Sequence, residues 1–154
     1  MDDIKNKENE IDIRAEEKRL YDEYKKKLTQ LRKVKKEKEA VGQVFTKGLL
    51  PLYVLYILSL GETNGNDISH KIGDRTNGLW IPSTGGIYPL LKRLEKEKLV
   101  IGHWNDSKKV QKIYKITVVG TEQLENKKHL LQEKIEEALE VFKIIYNDLY
   151  NLKK

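Results

Sequence analysis

Three apolar stretches at helical spacing, followed by two short β-branched and aromatic runs around a basic turn, predict a mainly α chain of winged helix-turn-helix class. A heptad-like series near the C-terminal end adds a long helix, and a charged first third adds a helical extension. The 154 residues favour one compact domain with an appendage. The reading is a charged extension over 1–46, a winged helix-turn-helix over 47–120 and a C-terminal dimerisation helix over 121–154.

The extension has no proline, and no glycine before Gly42. Leu20, Tyr24, Leu28, Leu31, Val34, Val41 and Phe45 leave one narrow apolar face on a helix. A helix with so thin a stripe needs a partner or frays. Between Lys25 and Lys38, eight Lys and Arg meet Glu37 alone. That run reads equally as a solvated face and as a contact for nucleic acid or protein.

Next comes GLLPLYVLYILSLG at 48–61, whose 14 uncharged residues fall short of the roughly 20 that span a bilayer. It reads as a helix buried on nearly all sides. Asn66 or Asp67 can cap the second helix, DISHKIGDRTNG, with Ile68, Ile72 and Leu79 as its inward candidates. A third helix follows Pro82-Ser83-Thr84-Gly85-Gly86, with Ile87, Leu90, Leu91 and Leu94 as its core face and Lys92, Arg93, Lys96 and Lys98 elsewhere. Leu99–Trp104 and Lys112–Val118 read as strands flanking the turn Asn105-Asp106-Ser107-Lys108-Lys109. Thr121, after Gly120, can begin the last helix. Leu124, Leu131, Ile135, Ala138, Phe142, Ile145, Leu149 and Leu152 then form a coiled-coil seam, interrupted at Lys128, that a second copy about a two-fold axis would close.

Function classes narrow by composition. Thirty Lys and Arg against 24 Asp and Glu give a formal charge of +6, which favours a polyanionic partner. The absence of cysteine removes disulfides, thiolate catalysis and zinc ribbons. His70, His103 and His129 lack companions at metal-ligand spacing, no serine sits in a nucleophile elbow, and Gly85-Gly86 lacks the ending of a phosphate-binding loop. No catalytic residue, metal or cofactor is expected, and the chain does not read as an enzyme. MDDIKNKENE has no apolar signal region, so a cytoplasmic protein away from membranes is expected, leaving the Asn105-Asp106-Ser107 glycosylation pattern idle.

The third helix carries the chemistry. A helix tip aimed at DNA presents free N–H groups and partial positive charge to phosphate. Ser83 and Thr84 add short donors, Gly85 and Gly86 allow close backbone approach, Tyr88 offers a hydroxyl one turn on, and Lys92 adds attraction.

Gly48-Leu49-Leu50, Trp80-x-Pro82-Ser83-x-Gly85, Ile87-Tyr88-Pro89-Leu90-Leu91, Arg93-Leu94-Glu95 and Tyr114-x-Ile116-Thr117-x-x-Gly120 resemble the PadR-type transcriptional regulators, over about residues 47–150. The resemblance implies a winged-helix homodimer joined by its C-terminal helix, binding operator DNA and usually acting as a repressor. By position it implies DNA contacts at Ser83, Thr84, Gly85, Tyr88, Lys108, Lys109 and Lys112. It also raises a flat aromatic effector, with Trp80, Trp104, Phe142 and Tyr146 as candidate lining. Two features depart from the family pattern: Gly65-Asn66-Asp67 stands where a Gly-Tyr-acidic sequence is usual, and the charged extension is extra. A DNA adaptor of a plasmid, phage or chromosome machine, recruiting a protein through the extension, is the alternative.

Overall fold

The computed structural model describes residues 2–105 and 107–151, with the backbone alone for 39–46. Val41 and Phe45 of the stripe, Asp106 of the turn and Leu152 of the seam therefore lie outside the described side chains. The elements are α1 (Asp2–Leu60), α2 (Gly65–Arg75), α3 (Thr84–Lys96), β1 (Val100–Trp104), β2 (Lys112–Ile116) and α4 (Val118–Tyr150). They group into two compact units, Met1–Val44 and Phe45–Lys154.

The first unit is helical throughout its described residues, and every described side chain in it is exposed except Leu28, which is partly shielded. The helix expected to begin at 48 has no such start, because α1 passes through Gly48 and Pro51 without a break. Proline costs that helix one backbone bond, but its φ is helical, so a single residue does not end a run with apolar packing on both sides of it. Nor is 48–61 buried all round: Val54, Leu55, Ile57 and Leu58 are buried, Tyr53 and Tyr56 are half-buried, and Leu60 is exposed.

In the second unit, α1 supplies Leu50, Val54, Leu55, Ile57 and Leu58 to a core shared with Ile68 and Ile72 of α2, Ile87, Leu90, Leu91 and Leu94 of α3, Val100, Tyr114 and Leu124. Each fully buried aliphatic side chain there contributes about 1.5–3 kcal/mol. The α3 core face is the one its spacing predicts. By contrast Leu79, expected inward, is 88% exposed. The chain has already turned at Asn77 and Gly78, both at positive φ, so helical periodicity no longer sets where residue 79 points.

Caps move two boundaries. Asn64, rather than Asn66 or Asp67, caps α2 by accepting from the Asp67 N–H at 2.9 Å. Asp67 instead receives the Thr63 hydroxyl at 2.6 Å and pairs with Lys71 at 2.9 Å, and these partners hold its carboxyl below the usual range. At the other end, Thr117 caps α4 by accepting from the Gly120 N–H at 3.0 Å, and its hydroxyl lies 2.7 Å from the Lys98 carbonyl. The strand expected to reach Val118 therefore stops at Ile116, and the helix expected from Thr121 starts three residues earlier.

The strands pair antiparallel from Val100↔Ile116 to Trp104↔Lys112. Thr63 extends the sheet by exchanging two backbone bonds with Tyr114, at 3.1 and 2.8 Å. Three helices and a two-stranded hairpin in this order form the winged helix-turn-helix fold, followed by one long helix. Among the described residues no helix is long and apolar enough to cross a membrane.

Candidate nucleic-acid interface

Ser83 is extended and caps α3, its Oγ accepting from the Gly86 N–H at 3.3 Å. Accepting leaves the hydroxyl proton available to a second molecule. No acidic residue stands in the first turn of α3, so no carboxylate of that turn offsets the partial positive charge of the helix end. Pro89 lacks an N–H, so the Gly85 carbonyl has no i+4 donor; the cost falls at the exposed tip.

Among the described residues the glycines here answer to no side chain beyond the cap itself. A Cβ built on Gly85 or Gly86 meets only the Ser83 hydroxyl, at 3.8 and 3.7 Å. Lys47 and Arg93 border the shallow groove beside them, with Leu50, Pro51, Pro89 and Leu90. Thr84 and Lys92 are exposed on the same helix.

Tyr88 is 45% exposed, and its ring lies over Gly65, where a Cβ would stand 2.8 Å from the ring edge. Asn66 stands where the resemblance implies a tyrosine, and Gly65 before it serves as the floor under Tyr88. Tyr88 opens into a cleft of about 520 Å³ between the α2 start and the wing, lined by Asn64, Asn66, Trp104 and Gln111 among others. Of its polar members, Asn66 was singled out from the sequence only as a cap candidate, and Asn64 and Gln111 not at all. Asn64 was legible as a cap candidate in the turn-rich GETNGND, but only the approach of the wing makes the three neighbours.

In the wing, the expected cations divide. Lys108 and Lys109 are exposed at the turn, Lys109 at positive φ. Lys112 instead crosses the strand to Glu95 of α3 at 2.9 Å, both side chains about a third exposed or less (27% and 32%). Glu95 holds its ammonium above the usual lysine range, and the Tyr114 and Trp104 rings lie 5.5 and 5.8 Å from the charge. Gly102 makes the crossing possible, since a Cβ there would stand 2.4 Å from the Lys112 chain. Lys112 thus ties the wing to α3.

The candidate seam and effector residues spread along the chain. Leu124, a seam residue by spacing, is buried in the core of its own winged domain, where the α4 start meets Leu99 and Ile116. Leu131 and Ile135 are partly covered; Ala138, Phe142, Ile145 and Leu149 are exposed. Of the four candidate lining aromatics, Trp80 packs on Tyr53 with centroids 5.8 Å apart, Trp104 lies on the wing, and Phe142 and Tyr146 are on α4.

Known proteins share this arrangement. The transcriptional regulator PadR-like family matches residues 54–126. A PadR-like transcriptional regulator from Bacillus cereus is 35% identical with a TM-score of 0.52, over 64% of this chain and 95% of its own. A transcriptional regulator from Clostridium thermocellum is 25% identical with a TM-score of 0.51, over 70% and 98%. A PadR-like transcription factor from Bacteroides fragilis is 26% identical with a TM-score of 0.52, over 66% and 98%. No curated protein shows significant similarity. Sequence motif, helix order and near-complete coverage of these relatives agree: the chain belongs to the PadR-like family of transcriptional regulators.

Proposed function

We propose that the chain works as a homodimer that binds a pseudo-palindromic operator in a sequence-specific way and represses transcription. The observation that carries this is the α3 tip: a capped helix start whose hydroxyl proton the cap does not use, no acid in its first turn, and two glycines whose added Cβ would meet only the cap hydroxyl among the described residues. A fold that needed only a helix there would gain from alanine; a backbone meant to meet a phosphate or base edge would not. Tyr88 stands beside the tip, and the exposed Lys108 and Lys109 supply a second, sequence-blind contact. Leu131, Ile135, Ala138, Phe142, Ile145 and Leu149 are the surface on which a second α4 would seat, since apolar side chains repeat along that helix and, from Ala138 on, face solvent in one copy.

The test is a gel-shift titration against duplexes selected from a random pool, with half-sites expected about one turn, ~34–36 Å, apart. Tyr88→Phe and Ser83→Ala should each cut discrimination by roughly 1–3 kcal/mol for a true base contact. Lys108→Ala with Lys109→Ala should weaken all sequences alike and flatten the salt dependence by about one unit of slope per lost phosphate contact. Ile145→Asp should give a monomer by sedimentation. Operator binding untouched by the first three sets sinks the assignment of the tip and wing, and a dimer surviving Ile145→Asp sinks the seam.

A further inference from the structure

We propose that residues 2–44 pair antiparallel with the same segment of a second copy, about an axis near Tyr24. The segment is polarised along its length. Between residues 2 and 24, nine Asp and Glu meet five Lys and Arg, whereas between 25 and 38 eight Lys and Arg meet Glu37. A duplex would attract the basic half but repel the acidic one, and it would leave the apolar stripe uncovered. Parallel copies would set basic half on basic half. Antiparallel copies satisfy both halves at once, which is how flanking charges set orientation in paired helices.

The centre of the stripe fits the same register. Ile13, Leu20, Tyr24, Leu28 and Leu31 share one face at 3.6 residues per turn. All but Leu28 are more than half exposed, Leu31 reaching 67%. With Tyr24 on the axis, Leu20 meets Leu28 of the second copy. Glu10, Glu16 and Glu23 then lie level with Lys38, Arg32 and Lys25 of that copy, so acidic and basic positions share the same levels of the pair. Within one copy, Glu16 and Glu23 bind Arg19 at 2.6 and 3.6 Å, and Lys27 lies 3.8 Å from Glu23. Such exposed pairs on one helix are weak and exchange readily.

Cysteine scanning tests this directly, because the 154 residues include no cysteine. Tyr24→Cys should oxidise to a covalent dimer without DNA. Ile13→Cys alone should not, since a helix rising 1.5 Å per residue puts it roughly 33 Å from residue 35, its opposite number; mixed with Lys35→Cys it should. In the Tyr24→Cys background, Arg32→Glu with Lys38→Glu should lower dimer yield about tenfold or more, and mixing with a Glu10→Lys, Glu16→Lys copy should restore it. Ile13→Cys linking to itself as well as Tyr24→Cys does would mean parallel pairing and overturn the proposal. So would no linking at any site, with the segment shielded from protease only when duplex is added, which would assign it to nucleic acid.

Discussion

Two helices of this chain open with the same local chemistry and opposite surroundings. Ser83 caps α3 and Thr117 caps α4, each accepting from a glycine N–H three residues on. Around Gly120 there is no room at all: a Cβ would stand 2.0 Å from the Leu99 carbonyl oxygen and 2.8 Å from Ile116. Around Gly86 the nearest atom is the cap hydroxyl itself. One glycine lets a helix lie against the sheet of its own domain. The other keeps a helix tip bare on the outside. A glycine after a cap therefore says that something comes close, and only its surroundings say whether that is the same chain or another molecule.

That contrast can be broken by adding one methyl group at each place. Gly120→Ala should have the largest effect, since a backbone carbonyl cannot step aside as a flexible side chain can. A loss of about 3 kcal/mol or more in urea unfolding is expected, at or above the usual range for overpacking. A variant unfolding at the wild-type midpoint would mean that the α4 start has slack. Gly85→Ala with Gly86→Ala should go the other way, holding or raising stability by up to about 1 kcal/mol per site. Operator affinity should fall about tenfold, equivalent to roughly 1.4 kcal/mol. Stable protein with undiminished binding would show that the bare tip meets nothing.

The smallest effect sharpens a related point, how the wing is held to α3. Lys112→Met should cost about 1 kcal/mol or less near neutral pH, as a partly exposed ion pair does. Its signature is the pH dependence. The folded-state pKa of Lys112 is raised by the Glu95 carboxylate. The pair's contribution is thus fully present below the ordinary lysine value of 10.5 and is lost as pH rises through the folded value. Stability curves of the variant should fall less steeply on the alkaline side. Part of the fall should remain, because burial also pushes the Tyr114 phenol up. An unchanged alkaline slope would detach Lys112 from wing docking.

Family, element order and the α3 core face were all written in the sequence, because apolar spacing, caps and turn residues act over a few neighbours. So was the hydroxyl-and-glycine opening of α3, which a local motif carries whole. Boundaries were less legible. Thr121 looked like a helix start until Thr117 found the Lys98 carbonyl across the sheet, and Leu79 looked inward until the backbone turned at Asn77 and Gly78. The roles of individual charges were least legible. Lys108, Lys109 and Lys112 look alike along the chain, yet the third is bound to Glu95, seventeen residues away in sequence. Leu124 likewise belongs to a seam by spacing and to a core by packing. What the sequence determined by itself is whatever depends on periodicity and near-neighbour hydrogen bonds. What only the tertiary structure decided is which distant group each side chain meets, since an ion pair or an excluded Cβ depends on distances that close when the elements pack.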